Sequence, residues 1–248
     1  MPELMGFNDF AGQRLLEVGC GMGTDLLQFA RGGAKVTGVD LTPRSIELSR
    51  RHLSLYGQTG EFAIADCETL PFADESFDVA YSNGVLHHTP DTAGAVREVH
   101  RVLKPGGRAV VMLYHRNSYN YRVNIGILRR LGARMLRYGW GLRLAHWLSG
   151  EPIESLRDHA AQLRADADSY LSPDEFLNQN TDGAGNPLAR VYSRRQAREL
   201  FSDFTEVQTR AYFLNKRWIP VLGNLLPRSV ESWLASRWGL HLWIYAVK

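Results

Sequence analysis

The sequence predicts an α/β fold in which a parallel sheet is doubly wound, with helices on both faces. Three observations predict it. Short apolar runs alternate with helical patterns through the first half of the chain, the signature of parallel strands joined by helical crossovers. A glycine cluster, Gly19-Cys20-Gly21-Met22-Gly23, directly follows the first apolar run, and an acid, Asp40, closes the second. In an open sheet of this type ligands bind outside the carboxyl ends of the strands, and both features fall there.

The first strand reads Arg14–Val18, followed by the glycine turn, a helix, and a second strand at Lys35–Asp40. Thr42 is the N-cap and Pro43 the first helical position of a helix running to about Tyr56. Strands follow at Glu61–Ala65 and Phe77–Ser82. A helix over Thr92–Leu103 is closed by the turn signal Lys104-Pro105-Gly106-Gly107, which leads into a fifth strand, Arg108–Tyr114. The pattern then changes. Residues 115–204 read as a long, mainly helical insertion between the fifth and sixth strands. It holds an apolar and arginine-rich stretch at Arg122–Trp147, a more polar one at Glu151–Ala167, a flexible loop at Thr181–Pro187, and a capping box at Ser193-Arg194-Arg195-Gln196. Two terminal strands read at Glu206–Phe213 and Leu240–Val247, with Trp218, Trp233 and Trp238 between them. The expected organisation is a single domain over 1–248, with a ligand-binding core of 12–114 plus 205–248 and the insertion 115–204 on the acceptor side.

At 248 residues and 44% apolar content the chain is long enough for one such domain with a sizeable core. Its net charge of +3 is too small to imply nucleic acid as a partner. The basic residues are unevenly spread: from Val99 to Gly150 there are ten Lys or Arg and no acid. A solvated helix face is the default reading of that stretch, and attraction for an anionic substrate or partner is the second. Membrane-surface contact, helped by Trp140, Trp147 and the apolar Ile219–Leu226, is the least favoured. Cys20 and Cys67 make neither a disulfide framework nor a zinc site, and a reduced, cytoplasmic setting fits them. The first residues carry no signal-peptide pattern, and no apolar run approaches the roughly 20 residues of a membrane span.

The glycine spacing narrows the ligand. The dinucleotide fingerprint places two residues between its second and third glycines; here Gly23 arrives one residue early and position 24 is Thr. Glu17 precedes the turn. A carboxylate there repels a pyrophosphate but suits a ligand carrying an ammonium and a sulfonium, as S-adenosylmethionine does. Asp40 is placed to accept hydrogen bonds from both ribose hydroxyls.

The later strand tips carry Asp66-Cys67 after the third strand and Ser82-Asn83-Gly84-Val85-Leu86-His87-His88 after the fourth. Taken in order with the glycine loop, Asp40 and Lys104-Pro105-Gly106-Gly107, these segments resemble the class I S-adenosylmethionine-dependent methyltransferases, within the small-molecule group often called type 11. The resemblance covers residues 12–114. It implies a Rossmann-like, seven-stranded sheet whose last strand is antiparallel, S-adenosylmethionine as cofactor, S-adenosylhomocysteine as product, and no metal. It also implies roles. Glu17 and the loop backbone at Gly19, Cys20, Gly21 and Gly23 face the methionine part, and Asp40 takes the ribose. Leu41 packs on the adenine, Asp66 holds its amino group, and Cys67 packs beside it. Asn83 offers its carbonyl near the ammonium, and His88 lies close to the departing methyl. Relatives have a helix or two before the first strand that close over the cofactor. About thirteen residues precede it here, so closure falls to further upstream chain, to the insertion, or to the second subunit of a homodimer.

Adjacent residues diverge in any regular element, so His87 and His88 are not expected to ligate a metal jointly. His88, His115 and Tyr114 are the catalytic candidates, as general bases or positioners. Tyr114, His115, Asn117 and Tyr121, at and just past the fifth strand's tip, are the acceptor-site candidates. Tyr192 and the Asp182–Asn186 loop are candidates for a lid, with an ordinary surface loop as the plainer alternative. The expected reaction is in-line methyl transfer to a small organic acceptor, apolar or acidic. Nucleic-acid methylation lacks its Asn/Asp-Pro-Pro-aromatic and Pro-Cys motifs here. Two other readings stay open: a catalytically inactive cofactor-binding module acting through a partner, and a nicotinamide oxidoreductase.

Overall fold

A computed structural model describes residues 2–136, 138, 140–149, 152–167, 172, 188–215 and 227–248. The expected loop at 181–187 with its lid, Trp218 and the 219–226 segment lie outside the described residues.

The chain opens with α1 (Pro2–Met5) and then alternates β1 (Arg14–Val18), α2 (Thr24–Arg31), β2 (Lys35–Asp40), α3 (Pro43–Leu55), β3 (Glu61–Ile64), β4 (Phe77–Asn83), a 3-10 turn at Leu86–His88, α4 (Thr92–Val102) and β5 (Leu103–His115). A two-residue β6 (Val191–Tyr192), α8 (Arg194–Leu200), β7 (Glu206–Tyr212) and β8 (His241–Val247) complete the sheet side. The strand order is β3-β2-β1-β4-β5-β8-β7, with β6 beside β5. β1 to β5 run parallel, and β8 lies antiparallel between β5 and β7. This is the Rossmann-like sheet expected, with its last strand antiparallel and one short extra strand. Strand order reverses between β1 and β4, the place where such sheets open a binding crevice.

The winding follows from strand alternation. On β1, Leu16 and Val18 join an apolar cluster with Val96 and Val99 of α4 and Ala197 of α8, while Leu15 joins Leu27 and Phe29 of α2 and Ile46 of α3 on the other face. Helix starts match their sequence signals. The Thr42 hydroxyl accepts from the Ser45 N–H with Pro43 at the first position, and Ser193 and Gln196 form the expected capping box of α8.

The fifth strand starts earlier than expected, at Leu103. Leu103 pairs with Phe77 and Arg108 with Val79, so the Lys104–Gly107 segment is a bulge within the strand and not a turn before it. It is held by Gly106 N–H to Lys248 O, Lys248 N–H to Gly107 O, and Lys104 Nζ to Asp78 Oδ1 at 2.6 Å. The remaining strand ends shift by a single residue, as frayed ends do.

The chain packs as two units: Met1–His115 with Arg190–Tyr212 and His241–Lys248, and Arg116–Ala189 with Phe213–Leu240. The boundaries between the units fall at Arg116, Arg190, Phe213 and His241. Residues 190–204 stay with the sheet because Val191 and Tyr192 pair with Tyr114 and His115, Arg190 N–H donates to His87 O, and Phe201 is fully buried. Residues 213–240 group with the helical unit. That unit contains a π-helical segment at Asn120–Arg129, α5 (Arg130–Met135), α6 (Gly141–Ser149), α7 (Ile153–Ala165) and α9 (Arg228–Trp238). Leu136, Leu156 and Ala160 form its small core with Leu142 and Ala145.

Candidate functional site at the strand tips

The glycine loop leaves β1 and is tied to the end of β2. The Gly19 and Cys20 N–H groups both donate to Val39 O, at 2.8 and 2.9 Å. Asp40 anchors the next turn: its Oδ2 accepts from Gly21 N–H and its Oδ1 from Thr42 N–H, each at 3.0 Å. The Ser49 hydroxyl of α3 donates to Gly21 O at 2.8 Å. Two glycines do different work. At Gly19, with φ +78°, a Cβ would sit 2.3 Å from Val85 Cγ2, so the loop closes against the turn after β4. At Gly21, with φ +52°, a Cβ would meet nothing within 4 Å. Gly19 serves packing, and Gly21 keeps bare backbone facing open space.

Glu17 is only 4% exposed, and its Oε2 has no hydrogen-bond partner. Burial, reinforced by the nearby Asp25 carboxylate, holds its pKa well above the usual carboxylate range, and the Leu26 backbone N–H offsets only part of this. Asp25, in the first turn of α2, was not singled out from sequence. Its Oδ2 accepts from Tyr81 Oη at 2.7 Å and Asn83 Nδ2 at 2.9 Å. The Asn83 side chain is thereby held on Asp25. The available signals were an acid at a helix N-terminus and the two-residue spacing that puts Tyr81 and Asn83 on one face of β4.

Beyond β2, Leu41 is 68% exposed. Beyond β3, Asp66 is exposed and its Oδ1 accepts from Glu68 N–H at 2.9 Å. Cys67 is half-buried, and burial pushes its thiol up to about 11 despite the Thr89 hydroxyl beside it. That suits a packing role over a nucleophilic one.

At the tips of β4 and β5 an aromatic group forms. His87 is fully buried, neither ring nitrogen has a hydrogen-bond partner, and burial together with His88 and His241 pushes its pKa well down. Its ring lies 4.1 Å from that of His88 and 4.0 Å from that of Tyr114. His88 and Tyr114 meet edge to face at 5.7 Å. The structure thus brings His88 and Tyr114 together and adds His87 between them. His115 is buried too, but strand alternation sends it to the opposite face from Tyr114. Half-buried Tyr192 pairs beside it. Asn117 and Tyr121 belong to the helical unit, where Tyr121 N–H donates to Ser118 Oγ at 3.1 Å.

Among the described residues, no group of three or more His, Cys, Asp or Glu is arranged to hold a metal ion. A cavity of about 290 Å³, lined by Phe10, Arg108, Glu206, Gln208, Arg210 and Tyr245, lies apart from these tips, against the β5-β8-β7 side of the sheet.

Comparison with known proteins bears on this arrangement. Residues 16–111 match a family model described as a methyltransferase domain. A sterol 4-C-methyltransferase of Caenorhabditis elegans is 39% identical over 108 residues, covering 42% of this chain and 32% of that protein. A ubiquinone biosynthesis O-methyltransferase of Cereibacter sphaeroides is 36% identical over 116 residues, 47% of each chain. The chain thus spans a third to a half of the length of these curated relatives. Among solved structures, an S-adenosylmethionine-dependent methyltransferase from Mesorhizobium loti is similar with a TM-score of 0.57 at 21% identity, covering 100% of this chain and 96% of that one. The 4+2 cyclase SpnF is similar at 0.56 and 18% identity, covering 96% and 76%. At these identities the structures speak to the fold.

Proposed function

We propose, from the match of residues 16–111 to a family model described as a methyltransferase domain, that the protein transfers a methyl group from S-adenosylmethionine to a small organic acceptor. One observation carries the cofactor reading. A buried carboxylate oxygen without a donor, on Glu17, sits at the root of a loop whose Gly21 faces open space, with Asp40 at the loop's far side. An ammonium supplies the missing donor to Glu17. A ribose diol suits Asp40, whose carboxylate has lone-pair capacity beyond its present partners. A pyrophosphate on the same loop would meet the Glu17 carboxylate, which argues against a nicotinamide dinucleotide, whereas Asp40 would suit the ribose of either cofactor.

When bound, the sulfonium would supply an activated methyl, whose carbon an acceptor nucleophile attacks in line while the sulfur–methyl bond breaks and S-adenosylhomocysteine leaves. The chain's own contribution is placement and exclusion of water. Glu17 and the backbone at Gly19, Cys20, Gly21 and Gly23 hold the amino-acid end, and the Asn83 carbonyl faces the same ammonium. Asp40 fixes the ribose, Leu41 and Cys67 flank the adenine, and Asp66 takes its amino group. His88 and Tyr114 stand nearest the acceptor, with His115, Asn117, Tyr121 and Tyr192 as further acceptor-side candidates. Positioning of this kind reaches effective molarities of order 10⁵ M or more. The relatives' names, one for ubiquinone biosynthesis and one for a sterol enzyme, support an apolar acceptor.

The second reading is a cofactor-binding module without methyl transfer. It is favoured by the occurrence of this fold in a 4+2 cyclase. Calorimetric titration with S-adenosylhomocysteine, with NAD as control, followed by incubation with radiolabelled S-adenosylmethionine and a panel of phenols, quinols and sterols, separates these readings. Micromolar binding of the first ligand alone with label transfer supports methyl transfer. Binding without transfer across the panel supports the module, and preference for NAD overturns both.

A further inference from the structure

We propose that the arginine- and tryptophan-bearing face of the helical unit docks on an anionic lipid surface. From Arg116 to Ser149 the chain carries seven arginines, no lysine and no acid. Large apolar side chains in the same stretch point to solvent: Ile127, Leu128, Leu131, Tyr138, Trp140 at 57% exposure and Trp147 at 78%. They interleave with exposed arginines. Arg134 follows Leu131 by three positions, and on α6 Arg143 stands four before Trp147. Tyr138 and Trp140 stack with centroids 5.8 Å apart and planes 11° from parallel, making one flat aromatic plate. The stretch has already spent other apolar residues inward, since Ile125, Ala133 and Leu136 are buried. The outward set is therefore surplus to its own packing, and large apolar side chains concentrated on the surface of one stretch mark an interaction surface.

The chemistry of the patch selects its occupant. Tryptophan and tyrosine rings settle at the depth of lipid headgroups, where one end is apolar and the other wet. Arginines with no acid nearby in the chain seek phosphates, and their stems lie along apolar surface while the guanidinium reaches out. A second copy of this chain would set arginine against arginine. Among the described residues no helix is long and apolar enough to cross a bilayer, so the contact is peripheral. The exposed aromatic plate between the arginines sets this stretch apart from a merely solvated helix face.

The test is co-sedimentation of the full chain with extruded vesicles, phosphatidylcholine alone against phosphatidylcholine with about a quarter phosphatidylglycerol. The expected result is at least about tenfold tighter binding to the anionic vesicles, lost at molar salt. Trp140→Ala with Trp147→Ala should weaken it about tenfold, and Arg134→Gln with Arg143→Gln should weaken it on anionic vesicles alone. Circular dichroism and thermal melting, unchanged in both variants, show that the fold survives. Absent binding, equal binding to both vesicles, or variants that bind like the parent would overturn the proposal. So would dimerisation through this face in sedimentation velocity without vesicle binding. None of these outcomes depends on methyl transfer.

Discussion

Replacing Glu17 by glutamine should make the protein more stable and a poorer binder at once. Glu17 is buried with one oxygen unpaired and Asp25 close by, and its pKa is raised above the ordinary value. The folded chain therefore keeps this proton over a pH window in which the unfolded chain has released it. In that window the folded state binds more protons, so stability falls as pH rises from the ordinary carboxylate pKa to the raised one, by at most about 1.4 kcal/mol per pH unit. Glutamine carries no charge at any pH. Glu17→Gln should then match the parent in melting temperature below the ordinary carboxylate range and exceed it near pH 8.

Binding should move the other way. An ammonium beside Glu17 needs the carboxylate, and a charge-assisted hydrogen bond is worth about 1.5–3 kcal/mol, or roughly 10- to 150-fold in affinity. Parent affinity for S-adenosylhomocysteine should climb with pH towards the raised pKa, with a proton released into buffer on binding. The variant should bind weakly, without that slope and without the buffer-dependent heat. Calorimetry in two buffers and melting curves between about pH 3 and 8 read all of this. A variant that binds as tightly as the parent at pH 8, or melts below it, would refute the role given to this carboxylate.

Three further outcomes are expected. Asp40→Ala should weaken S-adenosylmethionine by about 1.5–3 kcal/mol, measured by equilibrium dialysis, because it removes the ribose acceptor and also the partner of Gly21 N–H; unchanged affinity would exclude the ribose role. Gly21→Val should abolish binding while the fold survives at a cost of about 1–2 kcal/mol for the left-handed backbone, whereas Gly19→Ala should lower the melting temperature sharply, since its Cβ would strike Val85. Cys20 and Cys67, both pushed up to about 11 by burial, should alkylate with iodoacetamide at pH 8 about 100-fold or more slower than a free thiol; comparable rates would show that the thiols are accessible and ionised.

What could be read from the sequence was whatever the backbone dictates locally. Strand alternation and the Thr42 and Ser193 caps act within a few residues, and the structure reproduces each; the glycine turn and Asp40 meet across 19 residues but follow successive strands and so fall at neighbouring tips. Contacts that depend on sheet order were hidden. Asp25 meets Tyr81 and Asn83 across 56 and 58 residues, and nothing local in either segment announces the other. The Pro105-Gly106 bulge misled because the residues that make a turn also make a bulge, and only the pairing with Lys248 at the far end of the chain decides between them. Residues 190–204 read as part of the insertion because a two-residue strand has no periodicity to detect; their pairing with Tyr114 and His115 places them.

The same distinction explains why the donor end of the site is easier to read than the acceptor end. A shared cofactor imposes constraints on backbone and charge that any chain using it must meet in the same order along the sheet. An acceptor imposes only shape and polarity, which side chains from separate segments can meet in many ways. Yet the two ends share a physical mark. Glu17, at the tip of β1, and His87, just past the tip of the adjacent β4, are both fully or nearly fully buried, and each has polar atoms without a partner. Buried polar atoms left unsatisfied destabilise a fold by about 1–3 kcal/mol each, so a pair of them flanking the strand-order reversal points to a site where the fold gives up stability for function. On the acid side the ammonium of the proposed cofactor would supply the compensation. On the imidazole side, His87 is kept neutral by its surroundings and pressed against His88 and Tyr114, so it can accept or donate a proton only if an acceptor or a movement of those rings reaches it. On the proposed reading the two ends differ in charge preference a strand apart, the Glu17 carboxyl suiting a cation and the neutral His87 an uncharged group, as methyl transfer from a sulfonium to an uncharged acceptor would require.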